Sequence, residues 1–224
     1  MPMKLCITGA NSSVGRHLLG LLAGRDDIEV VAVMRDANVV KREAANITIQ
    51  PCSYDDSATL CRACEDADAV IHLAGILFES PNSSYQSANV ASTAAVVAAA
   101  QAAKAKQLLF LSALGADADS ANPYYRSKGE AEALVTGSSL PATVLRTPLL
   151  LGPDTAGGRA LVREAGSPNT KHKAKLLGGG IHQVRPLDVE DLCAAILAVC
   201  EAPSGSTRTL ELCGPEPVAY HEMV

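Results

Sequence analysis

The chain has 224 residues, 48% hydrophobic and 19% charged, with a net charge of −5 and a pI near 5.5. That composition is globular, not disordered, and it offers no basic stripe to neutralise a phosphate backbone, so nucleic acid is not an expected partner. Aromatics make up 3% and Trp is absent, so the core must be Ala, Val, Leu and Ile, the filling of parallel sheets covered by helices.

Apolar runs and helical periodicity alternate along the chain. Lys4 to Thr8 reads as a strand ending in Gly9; a small-residue turn follows, then a helix with Val14, Leu18, Leu21 and Leu22 at helical spacing and Gly24 as its stop. Ile28 to Met34 and Ile47 to Gln50 read as strands, Ser57 to Glu65 as a helix capped by Asp56, and Ala69 to Ala74 as a strand. A long Ala-rich helix is predicted from Tyr85 to Lys104, a strand from Leu108 to Leu111, a helix from Tyr124 to Val135 with Ala131, Leu134 and Val135 as its apolar side, and a strand from Ala142 to Leu145. This predicts an α/β Rossmann fold: a doubly wound parallel sheet of at least six strands in the order 3-2-1-4-5-6 with helices on both faces. Residues 1–150 would form the dinucleotide-binding core. Residues 151–224 would supply substrate-region loops and complete the same domain. Within them Gly152 to Gly180 is expected to loop over a ligand site with one short helix; Val189 to Cys200 reads as a helix and Thr209 to Leu212 as a last strand. Tyr220 to Val224 looks like the first turn of another helix.

The start, Met1-Pro2-Met3-Lys4, enters an apolar strand at once, so no signal peptide is expected. The most apolar long stretch, Val90 to Ala103, is shorter than the roughly 20 residues of a membrane span. The cysteines, at 6, 52, 61, 64, 193, 200 and 213, are odd in number and scattered. They read as free thiols in a reducing, cytoplasmic setting.

Three motifs carry chemistry. In Thr8-Gly9-Ala10-Asn11-Ser12-Ser13-Val14-Gly15 a strand feeds a tight turn that opens a helix. Free N–H groups and the helix dipole there suit a pyrophosphate. Gly9 allows the turn, and Gly15 lets helix and sheet approach. Ser12 stands where the backbone nears phosphate and can donate a hydroxyl. The second strand ends Met34-Arg35-Asp36. An Arg here accommodates a ribose 2′-phosphate, which leans the reading to NADP, with NAD as the alternative. Tyr124 and Lys128, four apart on a helix, share a face. The ammonium would lower the phenol pKa and could hold a ribose.

Together these residues resemble the short-chain dehydrogenase/reductase superfamily over nearly the whole chain. The likeness is to its extended and atypical branches, the NAD-dependent epimerase/dehydratase and NmrA-like groups, and in texture to the Rossmann-type accessory subunits of respiratory complex I. The likeness includes Asn89-Val90-Ala91-Ser92-Thr93, Leu111-Ser112-Ala113-Leu114-Gly115-Ala116, Glu132 after Lys128, Arg146-Thr147-Pro148 through Gly152-Pro153, and Arg185-Pro186-Leu187-Asp188-Val189-Glu190-Asp191-Leu192. The resemblance implies cofactor contacts from Gly9, Asn11, Ser12, Ser13, Val14, Gly15, Arg35, Leu73, Ala74, Gly75, Asn89, Lys128 and Pro148, and catalysis by Tyr124 and Lys128, with Ser112 as the nearby hydroxyl left to polarise a substrate carbonyl. The sequence departs from the family at Ala113, where a catalytic Ser/Thr is usual, and at Cys52-Ser53, where a Gly-Asp pair is usual. The family's C-terminal substrate region also extends past Val224.

Other features have plainer readings. Cys61-Arg62-Ala63-Cys64 lies within a predicted helix and reads as packing thiols before a redox or zinc site. His72 reads as a structural histidine. Lys171-His172-Lys173-Ala174-Lys175 reads as a solvated loop before a phosphate-binding one. Two functions follow: an NAD(P)-dependent oxidoreductase or epimerase/dehydratase acting on a nucleotide sugar or a small carbonyl or quinone-like substrate, or a non-catalytic NADP(H)-binding redox sensor or assembly subunit. A homo-oligomer or a protein partner is left open by the sequence.

Overall fold

A computed structural model describes residues 1–35, 44–165 and 180–223. Seven strands form one parallel sheet: β1 (Met3–Thr8), β2 (Ile28–Met34), β3 (Ile47–Pro51), β4 (Ala69–His72), β5 (Leu108–Ala113), β6 (Ala142–Thr147) and a later edge strand, Arg208–Glu211. Their order is 3-2-1-4-5-6 with the later strand beyond β6. The expected order holds, and residues after 150 add the seventh strand.

The strands are short apolar runs because both faces are covered. Alternate side chains divide between two cores. On one face Leu5, Ile7, Val30, Ala32, Ile71, Leu109 and Leu145 meet helix α1 (Ser13–Leu22) and the late helix Val189–Glu201. On the other face Cys6, Val33, Val70, Phe110 and Val144 meet Leu60 of α2 (Ser57–Cys64), Val96 of α3 (Ser92–Ala102) and Val135 of α4 (Pro123–Thr136).

Two leucines fall outside their expected stripes: Leu21 of α1 is 49% exposed and Leu134 of α4 is 37% exposed. The buried stripe of α1 is formed by Val14, Gly15, Leu18, Leu19 and Leu22. At 3.6 residues per turn, Leu21 lies about 90° around the helix from the middle of that stripe. In α4 the buried side runs through Ser127, Lys128, Ala131, Glu132 and Val135, and Leu134 falls at its margin.

The predicted helix from Tyr85 to Lys104 is two pieces. Gln86–Ala91 forms a π-helical turn that runs into α3. Lys104 stops the helix with a left-handed φ of 56°. After β6 come β7 (Leu150–Leu151), α5 (Ala156–Ala165), β8 (Gln183–Val184), β9 (Leu187–Asp188), α6 (Val189–Glu201), β10 (Arg208–Glu211) and β11 (Val218–Ala219). β7 pairs with β9 in parallel and β8 with β11 antiparallel. The predicted terminal turn is the 3₁₀ turn Tyr220–Glu222. Asp36, the basic loop 171–175 and about half of the expected 152–180 loop lie outside the described residues.

Candidate dinucleotide and catalytic site

In a parallel sheet the carboxyl ends of all strands lie along one edge, and ligands bind there. The β1–α1 turn is built by close backbone approach. Gly9 has φ +71°, and a Cβ on it would sit 2.5 Å from the Ala74 nitrogen. A Cβ on Gly15 would sit 2.5 Å from the Ala10 carbonyl oxygen. Ser12 caps α1: its Oγ accepts from the Gly15 N–H at 3.0 Å, which leaves its own proton free to donate. Ser13 opens the helix, and Val14 is buried beneath the turn. The Asn11 carbonyl accepts from Arg16 Nη1 at 2.7 Å. Leu73 and Ala74 form the backing of the turn, with Gly75 exposed beyond them.

Arg35 stands exposed just past β2. Tyr54, which the sequence reading missed, lies close enough for the Arg35 charge to act on it. Burial pushes the Tyr54 phenol up to about 12, and the neighbouring Thr8 side chain and Arg35 partly offset this. Its only sequence signal was its place just after Cys52-Ser53.

At the other end of the edge, Asn89 sits buried in the π-helical turn. Its Oδ1 accepts from the Ile76 N–H at 2.8 Å and its Nδ2 donates to Ser127 Oγ at 2.9 Å. Ser127 Oγ donates to the Tyr124 carbonyl at 2.7 Å. The Tyr124 ring packs between Tyr85 at 5.9 Å and Tyr125 at 5.4 Å. Lys128 Nζ donates to the Leu111 carbonyl at 2.7 Å and lies 4.1 Å from the Phe110 ring centroid. Ser112 follows Leu111, and its buried Oγ has no hydrogen-bond partner among the described residues. Its carbonyl accepts from Thr147 Oγ1, and Pro148 follows half-buried. Tyr124, Lys128, Ser112 and Asn89 are thus gathered around β5 and α4. Glu132 is engaged by Arg146, whose Nη2 reaches it at 2.7 Å.

One expectation is corrected, that Lys128 holds Tyr124 partly ionised. Burial, with Tyr125 and Tyr85, pushes the Tyr124 phenol up to about 12. Burial also pushes the Lys128 ammonium down to about 7, partly opposed by Glu132. Between pH 7 and the ordinary lysine value of about 10.4, the unfolded chain keeps a proton that the folded chain has lost. Stability from this group therefore rises with pH across that window. The stability of Lys128→Met minus that of wild type is expected to have its highest value at and below pH 7. It should fall by up to about 1.4 kcal/mol per pH unit toward pH 10. Urea unfolding of both proteins across that range measures it, and a pH-independent difference would contradict the shift.

The remaining candidates resolve simply. Cys64 faces Cys6 with their sulfurs 3.8 Å apart, and Cys61 is only partly buried. No cluster able to hold a metal occurs among the described residues. No described helix is long and apolar enough to cross a membrane.

A glycine turn opening a helix at this edge of a 3-2-1-4-5-6 sheet defines a dinucleotide-binding domain of the Rossmann type. The profile of the NAD(P)H-binding family matches residues 9–198, and the chain belongs to that family, within the extended short-chain dehydrogenase/reductases. Over 97% of its length it is 26% identical to NADH dehydrogenase (ubiquinone) 1 alpha subcomplex subunit 9 of Dictyostelium discoideum, and it covers 61% of that protein. It is 28% identical to the ceramide reductase of Caulobacter vibrioides over 89% of its own length and 61% of the relative's. The chain thus spans less than two thirds of these relatives. The UDP-glucuronic acid 4-epimerase of Bacillus cereus, solved with UDP-glucuronic acid and NAD, superposes with a TM-score of 0.83 at 17% identity, over 98% of this chain and 80% of that one. That likeness shows the fold.

Proposed function

We propose that the chain is an NADP(H)-dependent oxidoreductase that reduces a carbonyl compound. The observation that carries this reading is the buried Ser112 Oγ, without a hydrogen-bond partner among the described residues and next in the chain to Leu111, whose carbonyl accepts from Lys128 of α4. A buried hydroxyl without a partner costs about 1–3 kcal/mol, and a shift of the groups covering it would let a substrate carbonyl oxygen satisfy it. The glycine turn fits a pyrophosphate, since it opens α1 with the N–H groups of a helix start, and its shape depends on Gly9 and Gly15, where a Cβ would collide with the Ala74 and Ala10 backbone. Gly9, Ser12, Ser13 and Gly15 would hold the phosphates, Arg35 the 2′-phosphate, and Asn89, Lys128 and Pro148 the nicotinamide end. When bound, the cofactor supplies a hydride to the carbonyl carbon. Ser112 donates a hydrogen bond to the carbonyl oxygen, and Tyr124 gives that oxygen its proton. The Tyr124 phenol is protonated at neutral pH, as such an acid must be, and burial makes it a weaker acid than an ordinary tyrosine. The ceramide reductase relative supports the direction of reaction.

Titration calorimetry with the four nicotinamide dinucleotides tests the cofactor. Arg35→Ala is expected to weaken NADP(H) by about 10- to 100-fold, the worth of a hydrogen bond to a charged group, and to leave NAD(H) nearly unchanged. Equal wild-type affinities for the two would oppose the NADP assignment. Absorbance of the reduced nicotinamide against a panel of carbonyl compounds then tests turnover. Ala113 favours a second reading, a non-catalytic NADP(H)-binding sensor or assembly subunit. Binding without turnover, together with a normal Tyr124→Phe protein, would support it.

A further inference from the structure

His72 lies fully buried at the carboxyl end of β4, between the phosphate turn and the helix that carries Asn89. Its Nδ1 is 2.7 Å from Thr8 Oγ1 and its Nε2 is 3.0 Å from Thr93 Oγ1. The proton positions follow from counting. Thr93 has one hydroxyl proton, and it goes to the Asn89 carbonyl at 2.6 Å. Thr93 Oγ1 can therefore only accept from the imidazole, which places a proton on Nε2. Burial, with Lys128 nearby, pushes His72 down to about 3, so the ring is neutral and Nδ1 is a bare acceptor. Bare Nδ1 can only accept, so Thr8 donates to it at 2.7 Å and not to the Ile71 carbonyl at 3.5 Å or to the neighbouring Tyr54 phenol, which has a proton of its own to donate.

The result is a directed chain of hydrogen bonds. It starts at Thr8, the residue before Gly9, and passes through His72 and Thr93 to Asn89. That run ends on the Asn89 backbone carbonyl; the Asn89 side chain carries a second run, from Nδ2 to Ser127 Oγ to the Tyr124 carbonyl, joined to the first only through the covalent frame of Asn89. We propose that His72 is a positioning residue whose fixed Nε2–H tautomer couples the phosphate turn to the α4 helix bearing Tyr124 and Lys128. The coupling rests on the reading that the turn holds a dinucleotide; the tautomer does not. The ring is held flat by stacking on Phe110, with centroids 5.6 Å apart, and by the edge of Tyr54 at 6.2 Å. It therefore has little freedom to exchange partners.

Two measurements test the proposal. In protein carrying ¹⁵N-histidine, His72 is expected to show the Nε2–H tautomer and no titration between pH 5 and pH 9. An Nδ1–H tautomer, or titration in that range, would overturn the chain as drawn. Thr93→Val keeps the side-chain shape and lies across the ring from the phosphate turn. It is expected to weaken dinucleotide binding by about 3- to 10-fold, the effect of one neutral hydrogen bond. Combined with Thr8→Val, the two effects should be non-additive, because both act through the same ring. Full additivity in a wild type that binds the cofactor would overturn the coupling alone. Failure of the wild type to bind either dinucleotide would overturn the functional reading and the coupling with it. His72→Gln, which keeps a donor near Nε2, should retain more affinity than His72→Phe; equal losses would count against a positioning role.

Discussion

Tyr124→Phe is expected to slow carbonyl reduction by about 10²- to 10⁴-fold, the usual contribution of a positioned acid, while fold and cofactor affinity stay close to wild type. The substitution removes only the hydroxyl. The ring contacts with Tyr85 and Tyr125 survive it, and so do the helix cap from Asn122 Oδ1 to the Tyr124 N–H and the Ser127 bond to the Tyr124 carbonyl, because both use the backbone. The phenol is held protonated well above neutral pH by burial, so in the proposed reduction Tyr124 would start with its proton in place. Single-turnover kinetics at saturating cofactor isolates the chemical step. A rate within about twofold of wild type, against the expected loss, would remove Tyr124 from the chemistry and favour the sensor reading.

Gly15→Ala is expected to abolish measurable dinucleotide binding, with Gly15→Val at least as damaging. The added Cβ would lie 2.5 Å from the Ala10 oxygen and 2.7 Å from two further backbone atoms of Ala10. No flexible side chain can give way there, so either the first turn of α1 or the turn itself must move. Moving it breaks the Ser12 cap and displaces the N–H groups that would face the phosphates of a bound dinucleotide. Circular dichroism distinguishes local from global damage, and calorimetry reads the affinity. A folded variant with wild-type affinity would place the cofactor elsewhere.

The sheet was readable in the sequence because each buried strand is a nearly continuous apolar run and each turn ends in a small residue. Leu5 to Thr8 and Val30 to Met34 announce themselves in this way. The turn and the Tyr124–Lys128 pair were readable because their spacing is local. What escaped the sequence depends on depth or on distant partners. The Lys128 shift comes from burial against Phe110, which no spacing reveals. Thr8 and His72 are 64 residues apart, and His72 and Thr93 are 21 apart. Such bonds become visible only when the strands are assembled. Leu21 and Leu134 show the same limit in reverse: each has the right residue type at the edge of a stripe whose centre only packing defines.

The π-helical turn at Gln86–Ala91 amounts to one surplus residue wound into an otherwise regular helix. Its consequence is a sensitivity to length. Deleting a single residue there would let the segment relax into an ordinary α-helix, with the flanking turns little moved but the positions inside the former π-turn facing a new direction relative to α3. Asn89 would then swing away from Ile76 and Ser127, although every remaining side chain would be unchanged. The fold could absorb such a shortening, but the alignment of the site could not.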